Sequence, residues 1–252
     1  MSAISGQPVA VSPIPEIDLD ALARGYRFRP ISRAAMQRAA NAARASLDPL
    51  LDIGGGTGAH AAVWAAAGRN AVVVDASPDM ATQASTKAHV DVVRGDAENL
   101  PFARDSFGLA YFHTSVHYGD WRLTLPEAVR CVRTGGRIEI WTFAPSEIEK
   151  TSLGYWFPTV VEVDTPRFPN PKHLAALLGE LCRSVSVTTE VELIERTARS
   201  WVQGVRGRFV STLQLVPEEE LERGIAAFRR AYPNDDDVYH YEVRYTSVAC
   251  VV

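Results

Sequence analysis

The stretch Gly54-Gly55-Gly56-Thr57-Gly58 is the part of this chain best suited to hold a ligand with backbone alone. Glycines at 54, 56 and 58 let the main chain approach closely, and a helix starting there aims free N–H groups outward. Two carboxylates downstream suit the same ligand. Asp75 can accept both hydroxyls of a ribose, and Asp96, within Gly95-Asp96-Ala97-Glu98-Asn99-Leu100-Pro101-Phe102, can accept a purine amino group beside a backbone N–H. A third group, His113, Thr114, Ser115, His117 and Tyr118, offers imidazoles and hydroxyls that could hold or accept a proton. His113 and His117 have the spacing of a metal pair, but no third ligand stands near them and no metal site is expected.

The elements that must position these residues follow from hydrophobic runs and punctuation. Pro49–Ile53 reads as a buried strand running into the glycine turn, and Ala59–Gly68 as the helix that leaves it. Ala71–Asp75 is a second strand, Ser77-Pro78 a helix start, Val90–Arg94 a third strand and Phe107–His113 a fourth. A helix around Pro126–Val132 leads through Thr134-Gly135-Gly136 to a fifth strand, Arg137–Phe143. Continuous apolar strands alternating with helices predict a mostly parallel α/β sheet covered on both faces. Asp18 or Asp20 and then Ser32 are candidate caps of two helices ahead of this core, the second rich in alanine. Residues 144–170 read as irregular, Pro171–Cys182 as a helix and Ser184–Ile194 as a strand. Arg199–Arg208 and Pro217–Ala231 read as helices, and Val238–Val251 as a strand that pairs antiparallel at the sheet edge.

In order and spacing, these pieces resemble the class I S-adenosylmethionine-dependent methyltransferases, nearest the ubiquinone/menaquinone-type and natural-product small-molecule group. The resemblance covers roughly residues 45–145 and rests on Leu51–Gly58, Val74-Asp75-Ala76-Ser77, Gly95–Phe102, Phe107–Tyr111 and Arg133–Gly136. It implies a Rossmann-like, doubly wound, seven-stranded mostly parallel sheet with an antiparallel edge strand, plus a helical insert near the C-terminus. It implies S-adenosylmethionine as cofactor and S-adenosylhomocysteine as product. Asp52 and the backbone at Gly54 and Gly56 would face the methionine part, and Asp75, with Ala76 beside it, the ribose. Met80 or Ser77 would flank the adenine, Asp96 and Ala97 read its edge, and His113 sit beside the methionine amino group. Tyr26, in a Tyr/Arg/Pro stretch like that of many relatives, would close over the methyl donor. The chain departs from the pattern at Gly108, where relatives commonly carry an acid. The glycines and Asp75 also satisfy a permissive dinucleotide fingerprint, so an NAD(P)-dependent oxidoreductase is the alternative; no Tyr-x-x-x-Lys pair supports it. A non-catalytic methyltransferase-like binding protein is a third class.

For catalysis, His117 is the first candidate base, with His113 and Tyr118 beside it. Tyr155, Trp156 and Trp201, with Arg206 and Arg208, are the expected acceptor contacts: an aromatic wall and fixed positive charge suited to an anionic group. The expected organisation is a disordered tail over 1–16, a helical cap over 17–48, a core over 49–197 and 233–252, and a substrate lid over 198–232. With 252 residues, 46% hydrophobic content and a net charge of −4, the chain suits one sizeable core and a small-molecule substrate rather than nucleic acid. It holds no apolar run long enough to span a membrane and no signal-peptide pattern, so cytoplasmic residence is expected, with the oligomeric state left open. Cys131, Cys182 and Cys250 read as isolated free thiols.

Overall fold

The computed structural model describes residues 17–29 and 32–252; the tail expected over 1–16 lies outside the described residues. Seven strands form one sheet in the order β3-β2-β1-β4-β5-β7-β6. Five run parallel: β1 (Leu50–Ile53), β2 (Ala71–Asp75), β3 (Val90–Arg94), β4 (Phe107–His113) and β5 (Val132–Thr142). The antiparallel pair sits at the sheet edge, with β7 (Val238–Val251) running against both β5 and the outermost β6 (Ser184–Thr197). The chain steps outward from β1 to β2 and β3, then returns to the other side of β1 with β4. That reversal opens a crevice beyond the carboxyl ends of β1 and β4, where open α/β sheets bind ligands.

Side-chain alternation along the strands feeds two cores. Leu51, Ile53, Phe112, Ile138 and Ile140 pack under α5 (Trp121–Cys131) and α8 (Pro171–Leu181). Leu50, Val73, Leu109 and Tyr111 face the opposite layer, α2 (Arg33–Arg44) and α3 (Ala59–Ala66). The alanines of α2 bring its backbone close enough for Trp64 Nε1 to donate to the Ala39 carbonyl at 2.8 Å. Both expected caps form: Asp18 accepts from Ala21 N at the start of α1 (Leu19–Gly25), and Ser32 from Ala35 N at the start of α2. Gly108 has a steric reason for lacking an acid, since a Cβ there would lie 1.9 Å from the Leu47 carbonyl oxygen.

Residues 144–170 are not irregular. A 3-10 turn (Pro145–Lys150), α6 (Ser152–Trp156) and α7 (Pro158–Arg167) occupy them. Pro145 and Pro158 sit in first turns, where proline is tolerated, and Thr151 caps α6 by accepting from Gly154 N at 3.0 Å. The aromatics of this stretch belong to a third core. Phe157 and Val160 pack with Trp201 and Val205 of α9 (Ala198–Arg206) and with Leu221, Ile225 and Phe228 of α10 (Glu218–Ala231). The helical layer over the crevice is therefore built from two separate segments of the chain. Cys182 and Cys250, 68 residues apart, meet at the contact of α8 with β7, their sulfurs 2.8 Å apart. No helix among the described residues is long and apolar enough to cross a membrane.

Candidate active site

The glycine turn takes its shape from three left-handed residues, with φ of +64° at Gly54, +56° at Gly56 and +74° at Gly58. Asp75 ties it to the next βα unit: one carboxylate oxygen accepts from Gly56 N at 2.8 Å, the other from Ser77 N at 3.0 Å. Tyr26 and Met80 lie over the turn, 3.5 and 3.7 Å from where a Gly56 Cβ would stand. Helix α1 covers this end, packing Leu22 and Ala23 on Met80 while Asp20 accepts from Ser77 Oγ. The Ala76 carbonyl accepts from Arg94 Nε at 3.3 Å. Asp96 is exposed after β3 and accepts from Glu98 N, with Ala97 packed on the sheet core. Gly95 N donates to the Asp75 carbonyl at 3.1 Å, which brings these two loops together.

A cavity of about 250 Å³ opens in the crevice. Tyr26, Asp52, Gly54, His113, His117 and Tyr118 line it; Asp75, Ala76, Met80, Asp96 and Ala97 lie outside its lining, toward the β2–β3 side. Asp52 is buried, with no side-chain hydrogen-bond partner for either carboxylate oxygen among the described residues; the Ala61 backbone N–H acts on it only weakly. Burial, reinforced by Asp75, pushes its carboxyl up to about 8. His60 Nδ1 stands 3.9 Å from it, and burial together with Arg29 and Arg38 brings that imidazole down to about 3. His113 lies 4.5 Å from His60 ring to ring, and its Nε2 is buried without a partner. Burial and the neighbouring His60 hold His113 well below the ordinary histidine value; burial and Arg167 do the same to His117. All three imidazoles are therefore neutral at neutral pH.

Arg29 donates to Tyr26 Oη at 2.6 Å and to Thr114 Oγ1 at 3.0 Å, and both of these partners are hydroxyls. Thr114 itself holds φ of +52°, a sparsely populated conformation for a residue with a side chain, at the point where β4 gives way to the turn carrying His117. Beyond it the walls are aromatic. His117 stacks on Phe168 at 3.9 Å, Phe168 meets Phe143 at 5.5 Å, and Phe143 stacks on Tyr245 at 4.9 Å. A polar corner faces them: Tyr118 Oη donates to Ser211 Oγ at 2.9 Å, as does Arg167, which also pairs with Asp164 at 3.1 Å.

The expected acceptor contacts fall elsewhere. Trp201 is buried in the helical layer, stacked on Phe228 at 3.9 Å with its Nε1 donating to Ser152 Oγ. Trp156 packs beside it, and Tyr155 is 72% exposed. Arg206 reaches Glu222 at the surface, and Arg208 turns to Glu218 and the Leu213 carbonyl. None of these five lines the cavity. The cause is the amphipathic α9, which buries Trp201 against α10 and turns Arg206 to solvent. In their place stand Arg167, Asp164, Phe168, Ser211, Thr212, Tyr245 and His60, residues that no spacing in the sequence connects.

Residues 51–140 match the family model described as a methyltransferase domain. The malonyl-[acyl-carrier protein] O-methyltransferase of Erwinia billingiae is 31% identical over 132 residues, 52% of each chain. The chain spans about half the length of the curated relatives it matches. Among solved structures, a candidate methyltransferase from an antibiotic biosynthesis pathway of Anabaena variabilis superposes with a TM-score of 0.69 at 20% identity, covering 86% of this chain and 97% of that one. Geranyl diphosphate C-methyltransferase of Streptomyces coelicolor, solved with S-adenosyl-L-homocysteine, superposes at 0.52 with 15% identity over 86% of this chain and 78% of that one. The match spans the glycine turn, Asp75 and the Gly95–Phe102 segment, and makes this stretch of the chain similar to a methyltransferase domain.

Proposed function

We propose that the protein transfers a methyl group from S-adenosylmethionine to a small-molecule acceptor and releases S-adenosylhomocysteine. The observation that carries this reading is Asp52: a buried carboxyl beside a glycine turn, with no side-chain partner for either oxygen among the described residues, fits a cationic group of the ligand. The other residues fit the rest of the donor. Asp52 would hold the methionine ammonium, Arg29 its carboxylate, and Asp75 the ribose. Tyr26 and Met80 would flank the adenosine, with Asp96 and Ala97 at the adenine edge. When bound, the donor supplies an activated methyl: the acceptor's electron pair forms the new bond to carbon as the carbon–sulfur pair returns to sulfur.

The protein's own contribution is positioning and exclusion of water. His117, His113 and Tyr118 sit where the acceptor's reacting atom would lie. Their neutral imidazoles suit hydrogen bonding better than proton abstraction, because burial keeps their proton affinity low. The layer over 198–232, with α6 and α7, acts as the lid. Titration calorimetry with S-adenosylhomocysteine tests the donor site. Wild type is expected to bind in the micromolar range, and Asp75→Ala at least about tenfold more weakly. Absence of binding by a well-folded wild type would sink the reading.

A further inference from the structure

The charges and walls of the cavity specify the acceptor further. Five charged side chains line it. Two neutralise each other, Asp164 and Arg167, and Glu192 is answered from behind by Arg38 at 3.0 Å, which also pairs at 2.8 Å with Glu190, a carboxylate that lies outside the lining and is open to solvent. Among the described residues, Asp52 and Arg29 are left without counter-ions. The histidines add no charge, and burial keeps three tyrosines protonated: Tyr26 and Tyr245 are raised and Tyr241 is pushed up to about 12. On the reading above, the donor's ammonium and carboxylate answer Asp52 and Arg29. Its sulfonium then remains as one positive charge in a cavity whose walls are mostly apolar, where an unbalanced charge is costly. An acceptor entering as ammonium would double that charge, whereas one entering as an anion cancels it. The walls select shape as well: Phe168, Phe143 and Tyr245 form a run of aromatic rings in the lining that ends on His117, whose buried Nδ1 has no partner among the described residues.

We propose that the acceptor half of this cavity binds a flat aromatic compound as its oxyanion, a phenolate or an aryl carboxylate, against Phe168, Phe143 and Tyr245. This rests on the methyl-donor reading. It requires no base to remove a proton, which suits a cavity whose imidazoles stay neutral. A neutral His117 can still donate its ring N–H to the oxyanion.

The test uses full-length protein and a chromophoric probe, 4-nitrophenol, whose phenolate absorbs in the visible range. Calorimetry first establishes binding of S-adenosylhomocysteine and of sinefungin, which carries an ammonium where the donor carries its sulfonium. Each loaded protein is then titrated with 4-nitrophenol across pH, with 4-nitrobenzoate and 4-nitrobenzylamine as competitors. The expected result is phenolate absorbance below the pH at which the free phenol ionises, an apparent pKa lowered by about one unit or more. Binding is expected to be at least about tenfold tighter with sinefungin than with S-adenosylhomocysteine. Phe168→Leu should weaken the phenol about tenfold while leaving donor affinity within about twofold. Competition by 4-nitrobenzoate in place of 4-nitrophenol binding identifies the carboxylate arm. Preferential binding of the benzylamine, a phenol bound in neutral form, or no binding of any aromatic oxyanion to protein loaded normally with donor analogue overturns the acceptor class alone. Failure of both analogues to bind instead faults the donor reading.

Discussion

Asp52 shows how one buried carboxyl ties stability to pH. Its carboxyl is pushed to about 8, above the ordinary 3.8, because burial disfavours the charge. The folded state then keeps a proton that the unfolded chain has already given up, so this residue's contribution is fully present below about pH 4 and is lost as pH rises through about 8. Asp52→Asn should remove that slope. Melting curves are expected to show the variant more stable than wild type at pH 8 by about 1–2 kcal/mol, with the gap closing toward pH 5. The same variant should bind S-adenosylhomocysteine at least about tenfold more weakly at pH 8, since an amide cannot answer an ammonium with charge. His117 makes a second case. A residue that only orients the acceptor should lose about tenfold or less in kcat/KM on His117→Gln, with the pH profile unmoved. A general base would lose about a hundredfold or more and take its pH limb with it.

At the scale of elements, the connection between α2 and β6 is a buried charge cluster. Arg38, 4% exposed, donates to Glu190 and Glu192 and lies over the rings of Trp141 and Tyr245. Because Glu192 is itself buried, Arg38→Met should cost about 3–5 kcal/mol by stranding that carboxylate, and Glu192→Leu in the same chain should restore much of the loss. Denaturant melts of the two single variants and the double variant check this. The start of β4 is constrained by sterics rather than charge. Gly108→Ala, which drives a methyl into the Leu47 carbonyl, should cost about 3 kcal/mol in the same assay.

At the scale of the molecule, two cores support the sheet and a third supports the helical layer above the cavity. Trp201 belongs to that third core. Trp201→Ala should therefore destabilise by about 3–5 kcal/mol and leave donor affinity within about twofold, as measured by thermal melts and calorimetry. Arg206→Ala, at an exposed ion pair, should change stability by less than about 0.5 kcal/mol and leave the acceptor's KM unmoved.

The sequence by itself determined the glycine-turn half of the candidate site. The five parallel strands, the left-handed glycines after β1 and the carboxylate at the end of β2 are local features: each is written in a few consecutive residues, and a βα unit places them with short loops. The prolines and aromatics of 144–170 misled because composition alone does not say whether a proline breaks a helix or starts one. Only the tertiary structure decided the other walls of the cavity. Arg167, Phe168, Ser211 and Tyr245 come from α7, the segment after it, the turn before α10 and strand β7, and they meet because two long antiparallel strands fold the helical layer back over the crevice. The same folding draws Trp201 into a core and turns Arg206 outward. Burial of apolar surface between distant segments, which no local pattern encodes, set the walls of the cavity.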